Sequence, residues 1–240
     1  MIGGGAIVEK LPVPASLTTA ITFFSALVIG AVACGSPSPS REVSFSTADG
    51  GTVVADLYAT HGSDAVVLAH GAVFDKASWA PFATWLASRG HQVLAIDFRG
   101  YGRSTAGTDS RALFEDVLAA VRYLGGRDVP RVAVLGASMG GGAAAEAAVR
   151  AAPGEIDRLI LLSPMAIANP QDLRGPTLFI ASQDEPVVAQ VTEQYRRAPE
   201  PKQLILLTGT AHGQHIFATE QAEQLRTTVA EFLEAREGTP

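Results

Sequence analysis

The stretch Val132-Ala133-Val134-Leu135-Gly136-Ala137-Ser138-Met139-Gly140-Gly141-Gly142 constrains this chain more than any other. An apolar, valine-containing run leads straight into Gly-x-Ser-x-Gly, and an alanine-rich segment of strong helix formers follows. Strand, sharp turn and helix are the expected elements. A serine at such a corner is held in a sparsely allowed backbone conformation costing about 1–3 kcal/mol, and it fits only where neighbouring side chains stay clear. Gly136 and Gly140 supply that clearance. A hydroxyl should therefore stand at the carboxyl end of a central strand, beside the positive end of a helix.

Short continuous apolar runs recur on both sides of this stretch: 65–69, 93–96, 132–135, 159–162, 177–180 and 204–207. Runs of this kind are strands buried on both faces, as in a parallel sheet. Between them, helical spacing is expected at about 78–88, 110–124, 139–152, 186–197 and 219–236. Ahead of them, 42–47 and 52–58 alternate around the turn cluster Ala48-Asp49-Gly50-Gly51, which predicts an antiparallel hairpin. The expected fold class is α/β, with a mostly parallel central sheet of about eight strands and helices on both faces. Functional groups in such sheets gather at the carboxyl ends of the strands.

At 240 residues, 47% of them apolar, the chain has room for one sizeable domain and an appendage. A net charge of −6 without any basic run argues against a nucleic-acid partner. One cysteine, and five histidines without ligand spacing, give no metal motif, and no cofactor is expected. The appendage is N-terminal. The dense apolar run 21–33 is short for a membrane span and suits the core of a signal peptide. Ala31-Val32-Ala33-Cys34-Gly35 resembles the lipobox of a bacterial lipoprotein, which implies lipidation at Cys34. Cleavage after Ala33 and an uncleaved anchor remain as alternatives. The expected organisation is 1–33 as signal peptide or membrane anchor, 34–40 as a Ser/Pro tether, and 41–240 as the catalytic-type domain, held outside the cytoplasmic membrane.

A serine hydroxyl needs a base to take its proton as it attacks, and the base needs a carboxylate to orient it. Asp184 lies one short loop beyond the run 177–180, and His212 lies just past 204–207 in Thr208-Gly209-Thr210-Ala211-His212-Gly213. His215 is the rival base. The order Ser138, Asp184, His212, each just past an expected strand, resembles the α/β-hydrolase superfamily over roughly 42–235. His70-Gly71-Ala72 resembles that superfamily's oxyanion loop, and Asp97-Phe98-Arg99-Gly100-Tyr101-Gly102-Arg103-Ser104 the loop after its fourth strand.

The resemblance implies backbone N–H donors at Ala72 and Met139 for a developing oxyanion, one such donor being worth about 3–4 kcal/mol of barrier. His70, Asp97 and Arg99 are expected to brace loops. Ser163-Pro164 occupies the superfamily's alternative place for the acid, which leaves that role to Asp184. The short interval between 162 and 177 implies no sizeable lid. The implied activity is hydrolysis of a small acyl ester or thioester through a Ser138 acyl-enzyme. A peptidase or acyltransferase on the same triad, or a non-catalytic binding lipoprotein of the same fold, are the alternatives.

Overall fold

Along Asp64–Ala69 the side chains of Ala65, Val67 and Ala69 pack on one side of a sheet while Val66 and Leu68 pack on the other, and none is more than 1% exposed. Both faces are covered, which is why this run is apolar without interruption. The computed structural model describes residues 40–60, 62–127 and 129–235; the expected export segment, Cys34 and nearly all of the tether lie outside the described residues.

Among the described residues eight strands form one sheet: β1 (Arg41–Ser46), β2 (Thr52–Tyr58), β3 (Asp64–Ala69), β4 (Gln92–Ile96), β5 (Arg131–Ala137), β6 (Arg158–Leu162), β7 (Thr177–Ser182) and β8 (Lys202–Leu207). Their spatial order is β1-β2-β4-β3-β5-β6-β7-β8. The expected hairpin is present, and both pairings of β2, with β1 and with β4, are antiparallel while the remaining pairings are parallel. Ala69 pairs with Gly136, and Ala137 with Leu162, so the carboxyl ends of β3, β5 and β6 stand side by side. Side chains on the loops after these strands are thereby brought to one edge.

Among the described residues five helices cover the sheet: α1 (Ala80–Ser88), α2 (Leu113–Gly125), α3 (Met139–Arg150), α4 (Val188–Arg197) and α5 (Ala222–Glu234). Buried side chains of α2, α3 and α4 join one core, and those of α1 and α5 join the other. Four helices begin later than their spacing suggests, at Ala80, Leu113, Val188 and Ala222, because a 3-10 turn or hydrogen-bonded turns occupy the residues before them. Only one short 3-10 turn, Pro170–Asp172, interrupts the loop between β6 and β7, so no sizeable lid stands there.

An ion-pair network ties three parts of the chain together. The Arg99 side chain is fully buried and bonds Asp116 on α2 and Asp49 in the β1–β2 turn, each at 2.7 Å. Burial pushes the Asp116 carboxyl up, against the hydrogen bonds from Arg99, while the Arg99 hydrogen bond holds Asp49 well below the usual carboxylate range. Asp97 Oδ1 accepts from the Lys76 amide at 2.8 Å. Both residues brace loops, as their place in the sequence suggests.

Candidate active site

Ser138 occupies the corner between β5 and α3 with φ 51° and ψ −110°, a conformation that L-residues rarely adopt. The cause is how closely α3 approaches the sheet. A Cβ on Gly136 would lie 2.2 Å from the Gly140 carbonyl oxygen, and one on Gly140 would lie 2.3 Å from that of Ala69. Only glycine fits at either position. The strained residue is pinned by its own backbone: its amide donates to Leu162 O at 2.9 Å, and its carbonyl accepts from Met165 N at 2.9 Å and Gly142 N at 3.1 Å.

The hydroxyl meets an imidazole. His212 Nε2 lies 2.8 Å from Ser138 Oγ, and His212 Nδ1 lies 2.6 Å from Glu185 Oε2. With a carboxylate on Nδ1, the ring proton belongs there, and Nε2 is left as the acceptor for the serine proton. The Glu185 side chain is fully buried. Its second oxygen accepts from the Ser163 hydroxyl at 2.7 Å and the Ser182 amide at 2.8 Å.

The carboxylate on His212 is thus Glu185, where the sequence pointed to Asp184. Strand β7 runs two residues further than its apolar run and then turns tightly over Ser182–Glu185. That turn sends Asp184 outward, exposed, with its amide on Gly209 O, and Glu185 inward. Two adjacent acids offered no sequence signal to separate them. His215, the expected rival, is exposed with its ring 4.9 Å from that of Phe74, and the place beside the Ser138 hydroxyl is taken by His212.

Opposite the histidine loop, Gly71–Phe74 turns back on itself through Phe74 N on Gly71 O at 3.0 Å. Three side chains fix this turn. His70 Nδ1 donates to Gly71 O at 2.9 Å while its Nε2 accepts from Phe98 N at 3.2 Å. Burial lowers the His70 pKa, which favours the neutral ring that this pairing needs. Gln214 Oε1 accepts from Gly71 N at 2.8 Å, and the Tyr101 hydroxyl donates to Ala72 O at 2.9 Å. Met139 opens α3 and carries one of the N–H groups that have no partner within the helix. The roles of Gln214, Tyr101, Ser163 and Glu185 are not visible in the sequence, because they depend on contacts between distant segments.

Between the two loops lies a cleft of about 270 Å³ lined by Gly71–Phe74, Ser138 and His212–His215. A larger cavity of about 420 Å³, lined by Gly142, Glu146, Arg150 and Ile167 among others, holds neither the serine nor the histidine. Among the described residues no cluster of three or more His, Cys, Asp or Glu is placed to hold a metal.

The esterase Pf2001 of Pyrococcus furiosus superposes on 81% of this chain and 92% of its own with a TM-score of 0.72 at 20% identity. The chain has the α/β-hydrolase fold. Within that fold, the model of a family described as serine aminopeptidase S33 matches residues 60–171, a span that takes in Ser138 but neither Glu185 nor His212. An uncharacterized protein of Mycobacterium tuberculosis is 28% identical over 203 residues, 72% of each chain. A non-heme haloperoxidase of Rhodococcus erythropolis is 33% identical over 139 residues, 54% of this chain and 49% of its own.

The 2.6 Å contact between His212 and Glu185 predicts a downfield-shifted ring N–H proton in the NMR spectrum. Glu185→Gln should remove that resonance and Asp184→Asn should leave it in place. The reverse pattern would restore Asp184 as the partner of His212.

Proposed function

We propose that this α/β-hydrolase-fold chain is a serine hydrolase that cleaves carboxylic esters or thioesters through an acyl-enzyme on Ser138. The observation that carries the reading is the hydrogen-bonded line from Ser138 Oγ through the His212 ring to Glu185. In this mechanism His212 Nε2 takes the hydroxyl proton as Oγ bonds to the substrate carbonyl carbon. Negative charge gathers on the carbonyl oxygen, within reach of the N–H groups of Ala72 and Met139 in the proposed arrangement. The tetrahedral centre then collapses, His212 returns its proton to the departing alcohol or thiol, and the acyl group stays on Oγ. Water, deprotonated by the same imidazole, attacks the acyl carbon and releases the acid. Glu185 stays ionised and stabilises the imidazolium in both halves.

The cleft bears on the substrate. Its lining contains no Asp, Glu, Lys or Arg, which favours an uncharged acyl group. An aminopeptidase, the activity in the name of the matching family model, needs an anion for the free amine of its substrate, and this lining offers none. The volume of about 270 Å³ is at the small end of the range of ligand pockets, about 300–1,000 Å³, which suits a short or medium acyl chain. Turnover of p-nitrophenyl esters should therefore peak at short chains and fall off toward palmitate. Ser138→Ala should lower it by roughly 10⁶ while the protein stays folded. Retention of ester turnover by Ser138→Ala would refute the mechanism.

We also propose that the N-terminal segment exports the chain and that Cys34 carries the lipid that holds it at the outer face of the membrane. The support is the apolar run followed by Ala31-Val32-Ala33-Cys34-Gly35. Expressed in a bacterial host, the native chain should partition into detergent, and Cys34→Ala should move it to the aqueous phase. Equal partitioning of the two would count against lipidation.

A further inference from the structure

The geometry points to Ser163 as a positioning residue for the proposed serine hydrolase, a single hydroxyl that sets the acid and the histidine loop together. It rests on the reading that Ser138, His212 and Glu185 act as one unit. Ser163 is fully buried directly beyond β6, at the place from which a carboxylate was expected to be missing. Its Oγ donates to Glu185 Oε1 at 2.7 Å and accepts from Gly213 N at 3.0 Å. The first contact leaves Glu185 Oε2 free to face His212 Nδ1, and the second holds the residue that follows His212 in the chain.

The backbone at this position adds independent weight. Ser163 has φ 45°, and besides Ser138 it is the only non-glycine residue with positive φ among the described residues. The residue before a proline is further restricted, and Pro164 follows directly. A glycine would take this conformation without strain. Strain of this kind persists where the surroundings over-determine it, and it concentrates at functional sites. Here the amide of Ser163 is held by Ile180 O at 2.7 Å, and both hydrogen-bonding capacities of the hydroxyl are used on the two segments that flank the imidazole. Ser163 itself does not line the substrate cleft, so it acts through Glu185 and the histidine loop and not on the substrate directly.

Loss of the hydroxyl lets the Glu185 carboxyl rotate and the Gly213 amide drift. A misplacement of about 1 Å in such a unit costs on the order of a hundredfold in rate. The test is the rate of Ser138 labelling by a fluorophosphonate together with steady-state kinetics on a short-chain p-nitrophenyl ester. Ser163→Ala should lower kcat and the labelling rate by about ten- to a hundredfold, with KM changed by less than about twofold. In a Glu185→Gln background the same substitution should cost less in labelling rate than it does in the native background, because one of the two segments through which it acts is already disabled. Ser163→Gly, which lacks the hydroxyl and takes φ 45° freely, should show the same kinetic loss, and it carries the test if the alanine variant does not fold. Unchanged kcat in either variant, or equal losses in both backgrounds, overturns the role. Native protein that fails to label at Ser138 defeats the hydrolase reading itself, whereas normal labelling of native protein and of Ser163→Ala alike defeats only the role of Ser163.

Discussion

The carboxyl edge of this sheet is governed by how near the first turn of α3 comes to β3 and β5. Contacts of 2.2–2.3 Å from a Cβ at Gly136 or Gly140 to a backbone oxygen leave no room for any side chain there. The alanines Ala143, Ala144, Ala147 and Ala148 continue the close packing along the helix. That proximity forces Ser138 into its strained conformation, at a cost of about 1–3 kcal/mol. Burying one leucine-sized side chain contributes about 1.5–3 kcal/mol, so a few of the core residues beneath the corner outweigh it. Fold stability thereby holds the hydroxyl in a position it would not choose by itself.

Two buried carboxylates show how the loops around that corner are kept in register. An ionised carboxylate away from water needs hydrogen-bond donors or a cation, and removing one partner of such a pair typically costs about 3–5 kcal/mol. Asp116 has Arg99, which also reaches Asp49, so the β1–β2 turn, the loop after β4 and α2 are fastened at one point. Glu185 has no arginine among the described residues. It has the Ser163 hydroxyl, the Ser182 amide and the His212 ring, an arrangement in which the imidazole is, among the described residues, its only side-chain partner able to become positive. The Arg99 network is suited to holding structure, and the Glu185 site to stabilising a charge that comes and goes.

The corner at Ser138 was legible because its backbone geometry permits so few residues that the glycines announce it. The sheet was legible for a similar reason: strands covered on both faces must be apolar along the covered stretch, and the interiors of β3 through β7 are. His212 was favoured over its rival His215 by its place nearer the end of the strand, and the structure sets it beside Ser138. The acid was not separable. Asp184 and Glu185 are neighbours, and the direction each takes is decided by a turn whose hydrogen bonds run to Gly209, Ser182 and Ser163, none of which marks itself in a single sequence. Gln214 and Tyr101 were hidden in the same way, since each fixes Gly71 or Ala72 from a segment distant along the chain.

In the proposed mechanism Ser138 is the nucleophile raised by that corner and deprotonated by His212. Treating the purified chain with a fluorophosphonate and mapping the adduct by peptide mass spectrometry tests this most directly. One adduct per chain, on the peptide containing Ser138 and absent from His212→Ala over the same interval, is the expected result. An adduct on any other residue, or labelling of Ser138 that proceeds equally fast without His212, would contradict it.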